Sequence, residues 1–434
     1  MRRSPYDREI LKLALPALGA LAAEPLYILM DTAIVGHLGT PQLAALALAG
    51  TLLTGTFTIF NFLTYGTTAQ VARYHGAGRE EAAGAMAAQA LWLATAIGAM
   101  LLVLGLALAV PAVHALGGAH HTGSLAVLYL RIGALGLPFA LIALAGQGYL
   151  RGISNLRTPL VIVVVANLVN LVLEVIFVYV FGWGLAGSAW GTVIAQAGMG
   201  AAFGIELLRA PATTRRPHPE LMRPLARVGG DIFIRTASLY ASFLVASAVL
   251  ARIGSASLGA HQVAFQLWTF IALILDAVAI AGQVMVGRAL GAGHADDAWD
   301  ASVRMLGWSF LVGAVFALVM LALVDALPHA FTDDSRVINR LHAIWPIFAL
   351  MQPINGLVFA LDGILIGASD TRFLKWSMVF AGLCVFVPVA LLSLAFDWGI
   401  VGVWCGLLGL IFARLITCGA RFASRRWAVV GVPG

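Results

Sequence analysis

The chain has 434 residues, of which 61% are hydrophobic and only 11% are charged, whereas soluble domains are about 25% charged. A mean hydropathy of +0.94 and apolar runs along the whole length exclude a soluble globular domain. The formal net charge of +6 could indicate a nucleic-acid partner, but the basic residues gather at both chain ends and in alternate connections. This distribution is typical of membrane topology, so we expect no nucleic-acid partner.

Twelve apolar segments are each long enough to cross the hydrocarbon core of a bilayer, which is about 30 Å thick. In chain order they are 10–36, 44–70, 83–110, 124–150, 158–181, 185–208, 224–251, 258–287, 298–327, 338–367, 373–396 and 399–422. The positive-inside rule places both termini in the cytoplasm. A cleavable signal peptide is the rival interpretation of the first segment, but its removal would destroy the repeat described next.

The chain aligns with itself at a constant offset of 215 residues. GISNLRT at 152–158, for example, aligns with GASDTRF at 367–373. Because this offset spans six helices, both halves begin on the same side of the membrane, as in transporters built from parallel repeats. We therefore predict an all-α membrane protein with two parallel, pseudo-symmetric six-helix lobes, residues 1–208 and 224–434. A proline-rich, basic cytoplasmic linker at 209–223 joins them.

Polar residues interrupt three apolar helices of the first lobe. They are Glu24, Tyr27 and Asp31 on the first helix, Asn167, Asn170 and Glu174 on the fifth, and Thr192 and Gln196 on the sixth. Within each set the spacing of three to four residues places the side chains on one helical face. At the repeat offset Asp31 aligns with Ala246 and Glu174 with Val389, so the second lobe lacks these acids.

Two acids inside a membrane bundle are costly to bury, which favours a functional role. Burial disfavours the charged form of a carboxyl group, and a second acid nearby reinforces that effect. Asp31 or Glu174 could therefore bind a proton from outside and release it inside. Alternatively, Asp31, Asn170, Glu174 and Thr192 could hold a sodium ion. The structural alternative is that these acids are satisfied by interhelical hydrogen bonds and only join the helices.

The second lobe has ionisable residues of its own. Asp276 and Asp362 could contact a cationic substrate or a second ion. Asp231 and Arg235 are spaced i, i+4, and we expect them to form a local ion pair. The three cysteines show no CxxC spacing, and neither clustered metal ligands nor a nucleophile motif is found, so we expect no cofactor and no enzyme.

Four stretches resemble the multidrug and toxic compound extrusion (MATE) transporters: LALPALGALAAEPLYILMDTAIVGHLGTPQLAALALA, AQVARYHGAGREEA, GYLRGISNLRTP and NLVNLVLEVIFVYVFGWGLAGSAWGT. DIFIRTASL at 231–239 and LDAVAIAGQVMVG at 275–287 resemble the DinF-type branch of that family. The resemblance covers nearly the whole chain. It implies a twelve-helix, two-lobed antiporter that exports cationic or amphipathic compounds in exchange for protons or sodium ions.

The resemblance also implies roles for individual residues. The first-helix aspartate that serves as the protonation or cation site in similar prokaryotic members matches Asp31, and a tyrosine one turn earlier matches Tyr27. The helix-five Asn-x-x-x-Asp pattern matches Asn170 and Glu174, with glutamate replacing the usual aspartate. A helix-six threonine matches Thr192.

Two prolines are candidate bends in the first helix. Pro16 matches the early proline at which similar members are proposed to bend, and Pro25 frees a backbone carbonyl because it lacks an amide hydrogen. Similar members with a second-lobe sodium site resemble this chain at Asp362. Their helix-seven glutamate, however, has no counterpart between Arg235 and Phe243, which favours protons as the coupling ion.

A flippase is the alternative function, and a second class of twelve-helix exporter is disfavoured by one loop of the sequence. A flippase for lipid-linked precursors or other amphipathic metabolites would have a similar lobe, but usually two more helices and a basic central cavity. A major-facilitator exporter would also have twelve spans, but the loop RYHGAGREEA differs from that family's signature. We predict a secondary active antiporter that is monomeric in the plasma membrane of a prokaryote. Its partners would be small amphipathic or cationic molecules and the lipid bilayer.

Overall fold

A computed structural model describes residues 4–432 of the chain, and within that range every regular element is helical. The α-helices of the first half are α1 (Pro5–Gly36), α2 (Thr40–Phe60), α3 (Phe62–Gly76), α4 (Glu80–Ala115), α5 (His120–Ala134), α6 (Leu137–Gly152), α7 (Arg157–Val175) and α8 (Leu185–Arg209). Those of the second half are α9 (Pro219–Ile253), α10 (Ser255–Gly291), α11 (Ala295–Ala322), α12 (Ala326–Phe331), α13 (Ser335–Leu350), α14 (Gln352–Gly367), α15 (Thr371–Phe380), α16 (Val387–Ala395) and α17 (Gly399–Ala423). Short π-helical segments continue α7 at Ile176–Val180 and join α15 to α16 at Ala381–Phe386.

The described residues contain ten helical segments long and apolar enough to cross a membrane, and twelve when two bent pairs count as one span each. The bent pairs are α5 with α6, at 48°, and α13 with α14, at 49°. The prediction of an all-α, multi-pass membrane protein with twelve transmembrane helices is confirmed. The first, fifth and sixth predicted helices correspond to α1, α7 and α8. The ninth ends at Ala322, earlier than predicted, and is followed by the short helix α12.

The internal repeat is visible in the backbone. Residues with positive φ occur in pairs at the 215-residue offset: Gly39 and Gly254, Gly78 and Gly293, Ser154 and Ser369, Gly182 and Asp397, and Gly184 and Gly399. A positive φ is unfavourable for most residues and marks a particular kind of turn. Matching turns at a constant spacing therefore show that the two halves share one backbone plan.

The chain divides into two compact units. The first unit is Gly19–Gly229, and the second unit combines the residues up to Leu18 with Gly230–Gly431. Both divisions fall inside long helices, α1 and α9, rather than in loops. The lobe limits drawn from the sequence stay a prediction.

The connection between α8 and α9 is held to α4. Gln89 and Trp92 donate hydrogen bonds to the backbone carbonyls of Arg216 and Arg215, at 3.0 and 2.9 Å. Gln89 also accepts one from the His218 amide at 2.8 Å. This polar and basic segment is therefore an ordered part of the first unit.

Glycine allows helices to approach closely within each unit. In α8, a Cβ atom at Gly200 would lie 2.6 Å from the Phe139 carbonyl oxygen of α6. In α14, a Cβ atom at Gly363 would lie 2.1 Å from the Ala279 carbonyl oxygen of α10. Small residues at such crossings let backbones meet where lipid provides no hydrophobic driving force between helices. The second unit adds a core of large aromatic side chains, among them Trp345 and Trp404.

Candidate functional site

Asp31 lies inside the first unit and is held by two hydroxyl groups. The Ser188 hydroxyl of α8 donates to its Oδ1 at 2.6 Å, and the Tyr129 hydroxyl of α5 donates to its Oδ2 at 3.4 Å. Only 6% of Asp31 is exposed. Three helices, α1, α5 and α8, therefore meet at this carboxyl group.

Glu174 is the second acid of the site. It lies on α7 close enough to interact with Asp31 and Ser188, and it is completely buried. Neither of its carboxyl oxygens makes a hydrogen bond in the described structure. Two neighbouring carboxylates without a counter-charge would repel each other in surroundings that solvate charge poorly. The pair can be buried at low cost only when a proton or a metal ion accompanies it.

Thr192 connects three helices beside the acid pair. Its hydroxyl shares a hydrogen bond of 2.7 Å with the Tyr27 hydroxyl of α1 and accepts one of 3.3 Å from the Asn170 amide of α7. Asn170 is 3% exposed, and its Oδ1 has no hydrogen-bond partner. Because Asn170 is one turn before Glu174, this group adjoins the acids. The site thus offers carboxyl, amide and hydroxyl oxygens at one place.

Local sequence explains how α7 and α8 approach each other here. A Cβ atom at Gly191 of α8 would lie 3.2 Å from the Glu174 backbone nitrogen, so glycine leaves the space that Glu174 needs. The π-helical segment Ile176–Val180 begins two residues after Glu174. Such segments are frequent at functional sites because they change the direction of the side chains that follow.

Three residues predicted for the site make no hydrogen bond to the acid pair in the described structure. Glu24 is exposed and takes no part in the hydrogen bonds described above. Asn167 donates to the Ala23 carbonyl at 3.0 Å and so links α7 to α1. Gln196 packs against Gly136 at the break between α5 and α6, where a Cβ atom would lie 2.0 Å from its Oε1. Any role of these three in ion coupling stays a prediction.

The two prolines lie within an unbroken α1. The helix continues through Pro16 and Pro25 to Gly36. The division between the two compact units follows Leu18, two residues after Pro16. A bend at either proline stays a prediction.

Two contacts of Asp31 are absent from the sequence-based prediction. Ser188 precedes Thr192 by four residues, so extending the polar stripe of α8 by one turn would have identified it. Tyr129 is a single tyrosine in the apolar helix α5, and no spacing distinguishes it from a residue that only packs. It is 4% exposed.

The ionisable residues of the second unit form pairs that differ from the predicted one. Asp362 is ion-paired with both Arg235 and Arg414, and Asp231 is ion-paired with Lys375. The predicted local pair of Asp231 and Arg235 is therefore wrong. Asp362 is buried on a different helix, α14, and would be strongly destabilising without a counter-charge. Arg235 therefore pairs with Asp362 rather than with its neighbour Asp231.

The remaining second-unit candidate, Asp276, is partly buried on α10. Asp362 already has two positively charged partners, so an additional cation would have to compete with them. Coupling or substrate roles for Asp276 and Asp362 stay predictions. Across residues 4–432, no group of three or more His, Cys, Asp and Glu side chains is arranged to hold a metal ion.

Known proteins resemble this chain over nearly its whole length. Residues 16–176 and 232–394 match the family model MatE. The chain is 30% identical to the protein DETOXIFICATION 44, chloroplastic, of Arabidopsis thaliana, over 96% of this chain and 82% of that protein. It is 29% identical to the DNA damage-inducible protein F of Escherichia coli K12, over 97% and 93% of the two chains. A crystal structure of MATE in the bent conformation has the same fold, with a TM-score of 0.91 at 20% identity, covering 98% and 97% of the two chains.

Proposed function

Because the chain belongs to the MATE family of multidrug efflux transporters, which are secondary transporters and not enzymes, we propose that it is a proton-driven antiporter. It exports amphipathic or cationic small molecules in exchange for protons that enter through Asp31 and Glu174. The observation that carries this proposal is the buried pair of acids. Their described contacts are hydroxyl groups and each other, with no lysine, arginine or histidine among them.

The mechanism follows from the charge of this pair. With one proton shared between them, the two carboxyl groups carry a single negative charge, which Ser188 and Tyr129 stabilise by hydrogen bonds. When that proton leaves, a second charge appears in the same dry space, and the helices gain free energy by separating and admitting water. Protonation then favours one conformation and deprotonation another, which is all that coupling requires.

The geometry supports a proton ahead of sodium. Both oxygens of Asp31 already accept hydrogen bonds, and the Thr192 hydroxyl is shared by Tyr27 and Asn170. A sodium ion would have to displace several of these donors, whereas a proton needs only one carboxyl oxygen. Sodium is the second candidate because the free oxygens of Glu174 and Asn170 are hard oxygen ligands of the kind that such ions use.

The substrate class rests on the relatives. A family of multidrug efflux transporters and a relative named DETOXIFICATION favour foreign or toxic compounds as cargo. We further propose that the protein acts as a monomer in a prokaryotic plasma membrane with both termini in the cytoplasm. The basic residues at both chain ends support that orientation.

Reconstitution of the protein in liposomes loaded with ethidium tests the coupling ion. We expect dye efflux when the outside is made acidic at equal sodium concentration on both sides, since protons then enter in exchange for the cation. A sodium gradient at equal pH is expected to drive no efflux above that of protein-free liposomes. Efflux driven by a sodium gradient alone would identify sodium, and not the proton, as the coupling ion. Efflux that responds to neither gradient would contradict the antiporter proposal.

A further inference from the structure

Helix α1 belongs to both compact units. Its residues up to Leu18 pack with the second unit, and those from Gly19 onward pack with the first. The helix is continuous from Pro5 to Gly36, and its later half carries Tyr27 and Asp31. Asp31 follows Asp7 by 24 residues, which is about 36 Å along a helix axis.

A forked ion pair fixes the first turn of α1 to α11. Asp7 Oδ1 accepts a hydrogen bond from Arg304 Nε, and Asp7 Oδ2 accepts one of 2.6 Å from Arg304 Nη2. The Trp308 indole donates to Asp7 Oδ1 at 2.8 Å. The side chains of Asp7 and Arg304 are only 19% and 17% exposed. Bidentate pairs of this kind are stronger and more directional than single contacts between a charge and a carboxylate.

A second ion pair extends the same attachment. Glu9 is ion-paired with Arg288 of α10. The first turns of α1 are therefore held by ion pairs to two helices of the second unit, α10 and α11. Ile10 and Leu13 on the following turn are also buried, at 1% and 4% exposed.

We propose that Asp7 and Arg304 are positioning residues, which anchor the N-terminal end of α1 so that a rearrangement of the second unit is transmitted along this helix to Asp31. This inference rests on the proposed function, because it assigns a purpose to the helix that carries the coupling acid. The anchor touches neither substrate nor proton. It converts a change in one unit into a displacement of α1 at the acid pair.

The test separates proton binding from turnover. Asp7→Asn keeps the size of the side chain but loses its charge and the fork. We expect ethidium efflux driven by a pH gradient to fall by about tenfold, as for the loss of roughly one charge-assisted hydrogen bond. Proton release on adding ethidium to the detergent-purified protein should keep its wild-type amplitude and midpoint, since Ser188 and Tyr129 still hold Asp31.

Two further variants exclude a general effect of charge removal or misfolding. The charge-exchanged double variant D7R/R304D should recover at least half of the wild-type efflux, because the ion pair is restored with opposite polarity. Asp334→Asn removes the same charge from the exposed pair of Asp334 and Arg336, which lies outside the attachment, and should leave efflux unchanged.

Three outcomes would overturn the anchor. In the first, Asp7→Asn shows wild-type efflux. In the second, Asp7→Asn loses efflux and proton release to the same extent. In the third, D7R/R304D folds but transports no better than Asp7→Asn. Failure of the proposed function would give a different result, namely wild-type protein that releases no proton on adding ethidium.

Discussion

Replacement of Asp31 by asparagine is expected to lower ethidium efflux driven by a pH gradient by at least about a hundredfold, equivalent to about 2.7 kcal/mol of lost coupling. Asparagine has nearly the same shape, and its Oδ1 can still accept the hydrogen bond from Ser188. It cannot bind and release a proton, so the acid pair loses the change of charge that distinguishes the two conformations. Efflux from liposomes with an acidic outside medium measures the effect.

Asp334→Asn is the matched control, because it removes the same charge by the same substitution. Asp334 pairs with the exposed Arg336 and lies outside the hydrogen-bonded site, so the variant should transport at close to the wild-type rate. Wild-type efflux by Asp31→Asn would contradict the assigned role of Asp31. An equally large loss in Asp334→Asn would show that removal of any one carboxylate has this effect.

The variant Gly363→Val is expected to destabilise the second unit by about 3 kcal/mol or more, the upper end of the range for overpacking. The added Cβ atom would lie 2.1 Å from the Ala279 carbonyl oxygen, which is backbone and cannot turn aside. Helices α10 and α14 would have to move apart along their shared interface. The melting temperature of the purified protein in detergent, followed by loss of the monodisperse species on heating, should fall accordingly.

Gly419→Val in α17 provides the comparison for this glycine. A Cβ atom at Gly419 meets no atom within 4 Å, so the same side chain finds open space on a helix of the same unit. Its melting temperature should stay near that of the wild type. If the two variants melted alike, close packing of α10 and α14 would not be what fixes their separation.

The membrane-spanning helices were predictable from the length of their apolar runs. The acid pair was predictable because charged and amide side chains are rare within such runs. Against an apolar background, Asp31, Asn170 and Glu174 stand out, and helical spacing assigns each to one face. The repeat then shows that the second half lacks them. Sequence alone could not show that α1, α7 and α8 bring these faces together, because contacts between helices depend on packing that spacing does not encode.

The bends within two spans were not predicted because hydrophobicity continues across them. Pro138 and Pro353 lie in the first turns of α6 and α14, where proline is compatible with a helix start. In a mostly apolar run this signal is hidden, since the residues on both sides would suit a straight span equally well. The paired bends of 48° and 49° became visible only in three dimensions.

The incorrect ion pair shows a second limit. Asp231 and Arg235 are neighbours on one helix, whereas their partners Lys375 and Asp362 are 144 and 127 residues away in sequence. Spacing along one helix can indicate only pairs between residues that are close in sequence. In a buried environment the distant pairs prevail, because each buried charge must be neutralised wherever its side chain comes to lie.

Proton release by the purified protein tests the central claim most directly, namely that Asp31 and Glu174 exchange a proton for cargo. Ethidium is added to the protein in weakly buffered detergent solution with a pH-sensitive dye, and the change in pH is converted to protons per bound molecule. The wild type should release about one proton, the number that a coupled acid pair exchanges in one step, and Asp31→Asn should release none. Equal release by both proteins would contradict the account.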